Sequence, residues 1–541
     1  MKYLVTAALP YANGELHLGH PRSTYVPADV YSRYLKLKGE DCLFVCATDE
    51  HGTPIEINAE KQRLSPEEFV KQFRSSHKRD FKRLGVEFDE FYYTESPENH
   101  ALAGEFFLKL KEKGLIYEKK IEQLFDEKAN RVLPDRYVRG ECPNCHAQDQ
   151  YGDACEKCSS IYSPKDLIKP YSVITKTTPV KHESVHYFFA LSKCSDFLTN
   201  YLETSTLQSD VVNYLKNWIS KGLEDWDITR DGPYFGIKIP GEEEKYFYVW
   251  FDAPIGYVSS TKHYCDAKGI RWEDYWKNDK NQLIHFIGKD IQYFHYLFWP
   301  AMLENAGFAK PNRIPTRGYL NLENEKMGKS RGNYILLSQF LNEFPADYLR
   351  YYLTAITPNN TSDGNFLWKE FQAKVNSELI DNYGNYCYRV LSFIYNKAGA
   401  SITEVGDYSP EDEAFKKRID EIAGEVEKDL NEIELKRALE KIISFSSEAN
   451  KYFNDSAPWV LMKNKDKRLK TVLFLSAKAA LALTTLLNPF VPFTTKKIAL
   501  QLNCELKWND YSGVKAGLQL NQPEIVLQKI EDEVIKAKTS Q

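Results

Sequence analysis

The chain opens strand, turn, helix, strand, and few folds accommodate that order. KYLVTAALP is apolar and β-prone, ADVYSRYLKLKG places apolar and aromatic residues at helical spacing and closes on Gly39, and CLFVCATDEHGTP is a second apolar strand ending in a polar break. Two such strands joined by a helix imply a parallel sheet with right-handed crossovers. Ligands of parallel sheets collect at the carboxyl ends of the strands. Both polar breaks, Asn13 to His20 and Asp49 to Pro54, fall there.

At 541 residues the chain exceeds what one core can organise, so about three or four domains are expected. From about Ile116 to Trp226 short β-like pieces and a cysteine cluster suggest an insertion into the sheet. The sheet pattern then returns: YFYVWFDAPIGY reads as a β-rich run, LIHFIGKD as a strand with a polar turn, and IQYFHYLFWPAML as a helix. A loop, EKMGKSRGN, comes next. After about Asn376 the chain reads as helical, with Phe415, Ile419, Ile422, Val426, Leu430 and Ile433 recurring every three or four residues. The expected divisions are 1–115 and 231–323 for the two halves of the sheet domain, 116–230 for the insertion, 324–375 for the lysine loop and the stem-contact region behind it, and 376–541 for a helical domain.

The net charge of −5 argues against a protein that coats nucleic acid by bulk charge, so any nucleic-acid partner must meet a local patch. The N-terminus lacks the pattern of a secretory signal. The most apolar tract, VLFLSAKAALALTTLLNPFVPF, is interrupted by Lys478, Asn488, Pro489 and Pro492 and reads as a buried helix in a soluble protein, with no membrane partner expected. Six of the ten cysteines are scattered through apolar or mixed contexts, which suits a reducing, cytoplasmic setting.

The remaining four, Cys142, Cys145, Cys155 and Cys158, form C-x2-C-x9-C-x2-C. Two CxxC knuckles suit tetrahedral thiolate coordination of one Zn²⁺, and four cysteines leave no open position, so the metal is expected to be structural. Two disulfides are the alternative reading.

HLGH, at the end of the first strand, places His17 and His20 around Gly19 at a helix start, where amide donors and imidazoles suit a phosphate. EKMGKSRGN offers Lys326, Lys329 and Arg331 beside Gly328 and Gly332. Mobile lysines suit chemistry in which charge shifts between phosphates. Each stretch alone also reads as something plainer, a buried helix start and a solvated surface loop.

Taken together and in this order, PYANGELHLGH and KMGKS resemble the two signature sequences of class I aminoacyl-tRNA synthetases. LPYANG, DEHGTP, the four-cysteine insertion, RDGPYFG, YVWFDAPIGY, HFIGKDI, FHYLFWPAML and APWV are similar to blocks of the methionyl-tRNA synthetase family. Leu18 stands where the first signature has Ile, and Gly328 where the second has Ser. The resemblance implies a Rossmann-like α/β nucleotide-binding domain with a zinc-knuckle insertion, followed by an all-α helical-bundle domain. It implies a ligase that makes methionyl-adenylate and pyrophosphate from L-methionine and ATP with Mg²⁺, then transfers methionine to the 3′ end of tRNA(Met) bearing a CAU anticodon.

By the same resemblance His17 and His20 bind the ATP phosphates, Lys329 with Lys326 neutralises charge at the α-phosphate, and Gly288 and Asp290 contact adenosine. Asp49 would hold the methionine ammonium, and Ala8, Leu9, Tyr11, Trp250, Ala253, Pro254, Tyr257, Ile291 and His295 the side chain. Asn385, Arg389, Pro458 and Trp459 match anticodon-reading positions. Read without the resemblance, Trp250 and His295 are core residues, Asp290 is a helix cap, Asp49 caps the helix after Thr53, and Asn385, Arg389 and Trp459 are a surface pair and a buried ring. Another class I synthetase, or a non-catalytic tRNA-binding derivative, are the alternatives. A monomer is expected.

Overall fold

The computed structural model describes residues 1–133, 137–152, 155–158, 160, 162–327 and 332–539. Gly328, Lys329 and Arg331 lie outside the described residues. Five strands, β1 (Lys2–Ala7), β2 (Asp41–Thr48), β3 (Glu90–Tyr93), β4 (Gln282–Gly288) and β5 (Thr316–Arg317), form one sheet in the order β5-β4-β1-β2-β3. Every pairing is parallel, with Tyr3 opposite Gln282 and Cys42 in the two directions. The order reverses between β1 and β4, so the ligand crevice of a doubly wound sheet opens at their carboxyl ends. Helix α1 (Val26–Lys38) makes the first crossover and stops on Gly39, whose φ of 87° closes the left-handed cap.

Alternation along β1 separates two cores. Val5 and Ala7 join a cluster with Phe44, Phe286 and Tyr31 of α1, whereas Leu4 joins Val45, Leu283, Tyr257 and Trp299 on the other face. The first cluster continues without a break into the C-terminal helices, reaching Val472 and Leu483. A buried ion pair marks this junction: Asp29 of α1 meets Arg350 of the helix Ala346–Ala355 at 2.6 Å, and Arg350 Nε donates to the Phe490 carbonyl at 2.9 Å.

YFYVWFDAPIGY departs from the β-rich reading. Only Lys245–Phe247 is strand; Val249–Asp252 is a helical turn and α2 (Ile255–Lys268) a full helix. Its first seven residues, Ile255 to Thr261, are all buried, so that half of the helix presents no exposed polar stripe to reveal its period. Between the sheet halves, Ile116–Asp126 and Val180–Phe189 form a long antiparallel pair that carries the cysteine knuckles.

The C-terminal part is helical as expected: α3 (Asn385–Lys397), α4 (Pro410–Asn431), α5 (Leu435–Ser456), α6 (Pro458–Lys463) and α7 (Arg468–Leu487). Phe415, Ile419, Ile422, Val426 and Leu430 all face inward from α4, which starts at a capping box of Ser409 and Asp412. Helix α7 is long and apolar enough to cross a membrane, despite Lys478, but 78% of its apolar window is buried among the other helices.

Candidate active site

The chain leaving β1 continues to pair with the chain leaving β2: the Ala12 amide donates to the Asp49 carbonyl at 2.8 Å and the Asp49 amide to the Pro10 carbonyl at 3.0 Å. This sets Tyr11 beside Asp49 at the crevice. One Asp49 carboxylate oxygen, Oδ1, is buried without a hydrogen-bond partner among the described residues. Burial, with Asp252 adding to it, pushes the Asp49 pKa well up. A buried carboxylate oxygen without a donor is costly, and an ammonium group supplies both the donor and the charge. Asp49 is not a helix cap: Gly52 holds that position before Thr53, without a side-chain bond.

His51 carries no sequence signal of its own, although it shares the polar break with Asp49. Its Nδ1 lies 2.7 Å from an Asp252 oxygen and its Nε2 2.6 Å from a Glu95 oxygen. With a carboxylate on each nitrogen the ring is an imidazolium. Burial alone would lower its pKa, but Asp252 and Glu95 outweigh that and raise it to about 10. Burial favours the neutral acid at Glu95, yet hydrogen bonds from His100 and His51 hold it down at about 2. This fully buried cation sits two residues from Asp49 and favours its ionised form.

The apolar residues converge from distant elements. A Cβ on Gly256 of α2 would lie 2.8 Å from Leu9, so glycine is needed for that approach. Tyr257 and His295 are buried and meet at 2.9 Å between Oη and Nε2, while His295 Nδ1 donates to the Ile291 carbonyl at 3.1 Å. That bond fixes the tautomer, so the Tyr257 hydroxyl is the donor; burial lowers the His295 pKa to about 4 and keeps the ring neutral. Ala8 is anchored by its amide to Phe286 and by the Tyr25 hydroxyl to its carbonyl, each at 2.9 Å. Trp250 stacks flat on Phe294, with centroids 4.0 Å apart, and keeps a partly exposed face. Ala253 and Pro254 are buried at the start of α2.

His17 and His20 follow the turn at Asn13 and Gly14, their rings 4.0 Å apart. His17 Nδ1 accepts the Gly19 amide at 3.1 Å, and His20 Nδ1 lies between the His17 amide at 3.1 Å and the His17 carbonyl at 3.2 Å. A Cβ on Gly19 would come within 2.9 Å of the His17 ring and 3.2 Å of Met327. The chain after the second signature is tied to the first by backbone: Leu18 donates to the Ile335 carbonyl at 3.1 Å and Leu337 to the Leu16 carbonyl at 2.8 Å. Lys326 rides on a short antiparallel ribbon opposite Asn321, its ammonium 5.2 Å from the centre of the Tyr319 ring. Across the switch point, Gly288 ends β4 and occupies the cap position of the turn Lys289–Ile291, so Asp290 lies within that turn and is not its cap. Asp290 is exposed, and a Cβ on Gly288 would sit 2.5 Å from its carboxylate.

The four knuckle sulfurs lie within 4.8 Å of one another, with Cys142 and Cys158 at 3.8 Å and Cys145 and Cys155 at 3.5 Å. These separations are far too long for disulfides, whose S–S bond is about 2.05 Å. They match the edge of a tetrahedron with Zn–S bonds of about 2.3 Å. Amides of Asn144 and Cys145 point at the Cys142 sulfur and those of Lys157 and Cys158 at the Cys155 sulfur, the donor set that thiolates require. His146 turns away to Glu141 at 2.8 Å.

In the helical domain Arg389 donates to Asn454 at 2.6 Å and lies over the Phe453 ring at 5.6 Å, and Trp459 meets the same ring edge-on at 6.3 Å. Trp459 is 47% exposed, contrary to a buried ring, and Asn385 is exposed one turn before Arg389 on α3. Pro458 is buried as the first residue of α6.

The family profile described as tRNA synthetases class I (M) matches residues 3–391, and that described as the anticodon binding domain of methionyl tRNA ligase matches residues 402–541. Among solved structures, Mycobacterium tuberculosis methionyl-tRNA synthetase bound by methionyl-adenylate is 24% identical with a TM-score of 0.81, covering 97% of this chain and 100% of that one. A second structure of the mycobacterial enzyme with methionyl-adenylate is 25% identical with a TM-score of 0.80, covering 97% and 99%. With both profiles together spanning nearly the whole chain and the switch-point crevice built as described, the chain belongs to the methionyl class of class I aminoacyl-tRNA synthetases.

Proposed function

We propose that this aminoacyl-tRNA ligase joins L-methionine to tRNA(Met) in two steps at the β1/β4 crevice. The observation that carries the amino-acid end is the orphaned Asp49 oxygen beside an apolar, aromatic wall. Asp49 receives the ammonium; Leu9, Tyr11, Trp250, Ile291 and the Tyr257–His295 pair enclose the thioether, with Ala8, Ala253 and Pro254 shaping the floor. The substrate's own carboxylate attacks the α-phosphorus of ATP, the bond to the β-phosphate oxygen breaks, and pyrophosphate leaves. Methionine then passes from the adenylate to the terminal ribose hydroxyl of tRNA.

Catalysis is positioning and charge stabilisation. His17 and His20 offer their imidazoles to the phosphates, Gly288 and Asp290 take the adenosine, and Lys329 with Lys326 closes on the charge of the leaving pyrophosphate. Mg²⁺ accompanies ATP as part of the substrate. The cysteine quartet holds one structural Zn²⁺. Asn385, Arg389, Pro458 and Trp459 read the CAU anticodon, with the exposed indole as the stacking surface. We place the protein in the cytoplasm as a monomer.

ATP–pyrophosphate exchange run over a panel of amino acids tests this reading. Exchange is expected with methionine alone, and Lys329→Ala is expected to depress the exchange rate far more than methionine binding. Exchange with another amino acid in place of methionine, or none in the wild-type protein, overturns it.

A further inference from the structure

Two arginines share a cavity behind the nucleotide edge of the sheet, and neither forms an ion pair with a carboxylate among the described residues. Arg317 ends β5 and is 1% exposed; its Nε and Nη1 are buried and have no hydrogen-bond partner among the described residues. Its remaining nitrogen reaches only Asn359 Oδ1, at 3.4 Å. Arg22, two residues after His20 and also 1% exposed, donates only to neutral oxygens: Gly318 at 2.7 Å, Tyr319 at 3.0 Å, Thr357 at 3.1 Å and Ser362 at 3.3 Å. Asp363, the carboxylate that acts on Arg22, is already bound by Lys289 at 2.6 Å, and Glu434, which caps α5 and acts on Arg317, makes no hydrogen bond to it among the described residues.

Desolvation pulls both guanidinium pKa values down, Arg22 to about 10 and Arg317, with Arg22 adding to the effect, to about 9. Two buried cations in this state are expensive unless something negative joins them. The cavity they share is also lined by Val26, Pro27, Leu353, Thr354, Thr357 and Leu435. Leu435 is the first residue of α5, so the positive end of a 22-residue helix adds to the same field. The space open to the centre of a water-sized sphere is about 10 Å³. That is room for a single small ion and too little for a nucleotide.

We propose that this cavity binds a single monatomic anion, chloride under cellular conditions, held by Arg317 Nε and Nη1 with Arg22 opposite. A water molecule could accept the orphaned N–H groups but would add no negative charge between the two guanidinium groups, which Asp363 and Glu434 offset only in part; a halide does both. The ion joins β5, the chain after His20 and the start of α5, and so couples the sheet to the helical domain.

Bromide substitutes for chloride and scatters anomalously. Crystals of the full chain grown in bromide are expected to show an anomalous peak between Arg317 and Arg22, and Arg317→Met is expected to remove it. In solution the wild-type melting temperature is expected to be higher in chloride than in gluconate at equal ionic strength, with the difference lost in Arg317→Met. The wild-type measurements stand whether or not the variant folds. A bromide derivative with no anomalous peak at this cavity, or a melting temperature that is the same in chloride and gluconate, overturns the proposal.

Discussion

The cysteine knuckle and the proposed methionine pocket are both small clusters of chemically specialised side chains, but they are assembled in opposite ways. The knuckle's four sulfurs come from seventeen consecutive residues, Cys142 to Cys158, and two tight turns suffice to aim them. The pocket's residues run from Ala8 to His295 and meet only because β1, β2, α2 and the turn after β4 converge at the switch point. A local site depends on its ligand for its shape. A dispersed site depends on the whole sheet and is shaped before the substrate arrives.

Removing the proposed zinc is the sharpest way to break this comparison, because metal binding at structural sites is worth on the order of 10 kcal/mol. Chelation is expected to unfold the knuckle while leaving the sheet domain's far-ultraviolet signal and methionine-dependent exchange largely intact; collapse of both together would mean the two sites share one folding unit. Metal analysis should return one zinc per chain.

Next in size is His51. Replacing it by Gln leaves Asp252 buried and Glu95 without its imidazolium, at a cost of about 3–5 kcal/mol in denaturant unfolding. Its folded pKa, about 10, lies above the unfolded 6.5, so the contribution is complete below pH 6.5 and is lost as pH climbs through 10. The stability gap between His51→Gln and wild type should therefore be widest in mild acid and narrow steadily toward alkaline pH. A gap independent of pH would remove the charged imidazolium from the account.

Asp49→Asn retains the shape and loses the charge, and is expected to cost about 2–3 kcal/mol in methionine binding, read as a KM raised roughly thirty- to two-hundred-fold. Because the Asp49 pKa is raised, wild-type methionine affinity should improve as pH rises and the carboxylate ionises, whereas the Asn variant should lack that dependence. The smallest effect belongs to Tyr257→Phe, which deletes the hydroxyl donated to His295: about 1 kcal/mol, felt more by discrimination of methionine against leucine than by overall stability.

Legibility in the sequence divides the same way. HLGH, the cysteine spacing and the α4 repeat are readable because each is a short-range pattern: a strand end, a pair of CxxC turns, a period of three to four. Helix α2 is not, since burial on every side of its first half erases the polar face that marks a helix, and its Tyr, Val and Ile content mimics a strand. His51 escapes notice because its partners, Glu95 and Asp252, lie 44 and 201 residues away. Trp459, read without the family as a core ring, is half exposed because the chain turns at Ala457, whose φ is 40°, and the short helix α6 that follows leaves Trp459 and Val460 uncovered.

Sequence alone determined the parallel sheet, the family, the cysteine quartet and the identity of the groups gathered at the strand ends. These rest on local chemistry: strand–helix–strand order compels parallel pairing, and four spaced cysteines carry their own geometry. Only the tertiary structure decided which charges are buried, and with whom. Asp49 with an oxygen to spare, His51 between two acids, and Arg317 sharing a cavity with Arg22 are products of packing, because the electrostatic state of a side chain depends on the water excluded around it and on partners that the linear order does not name.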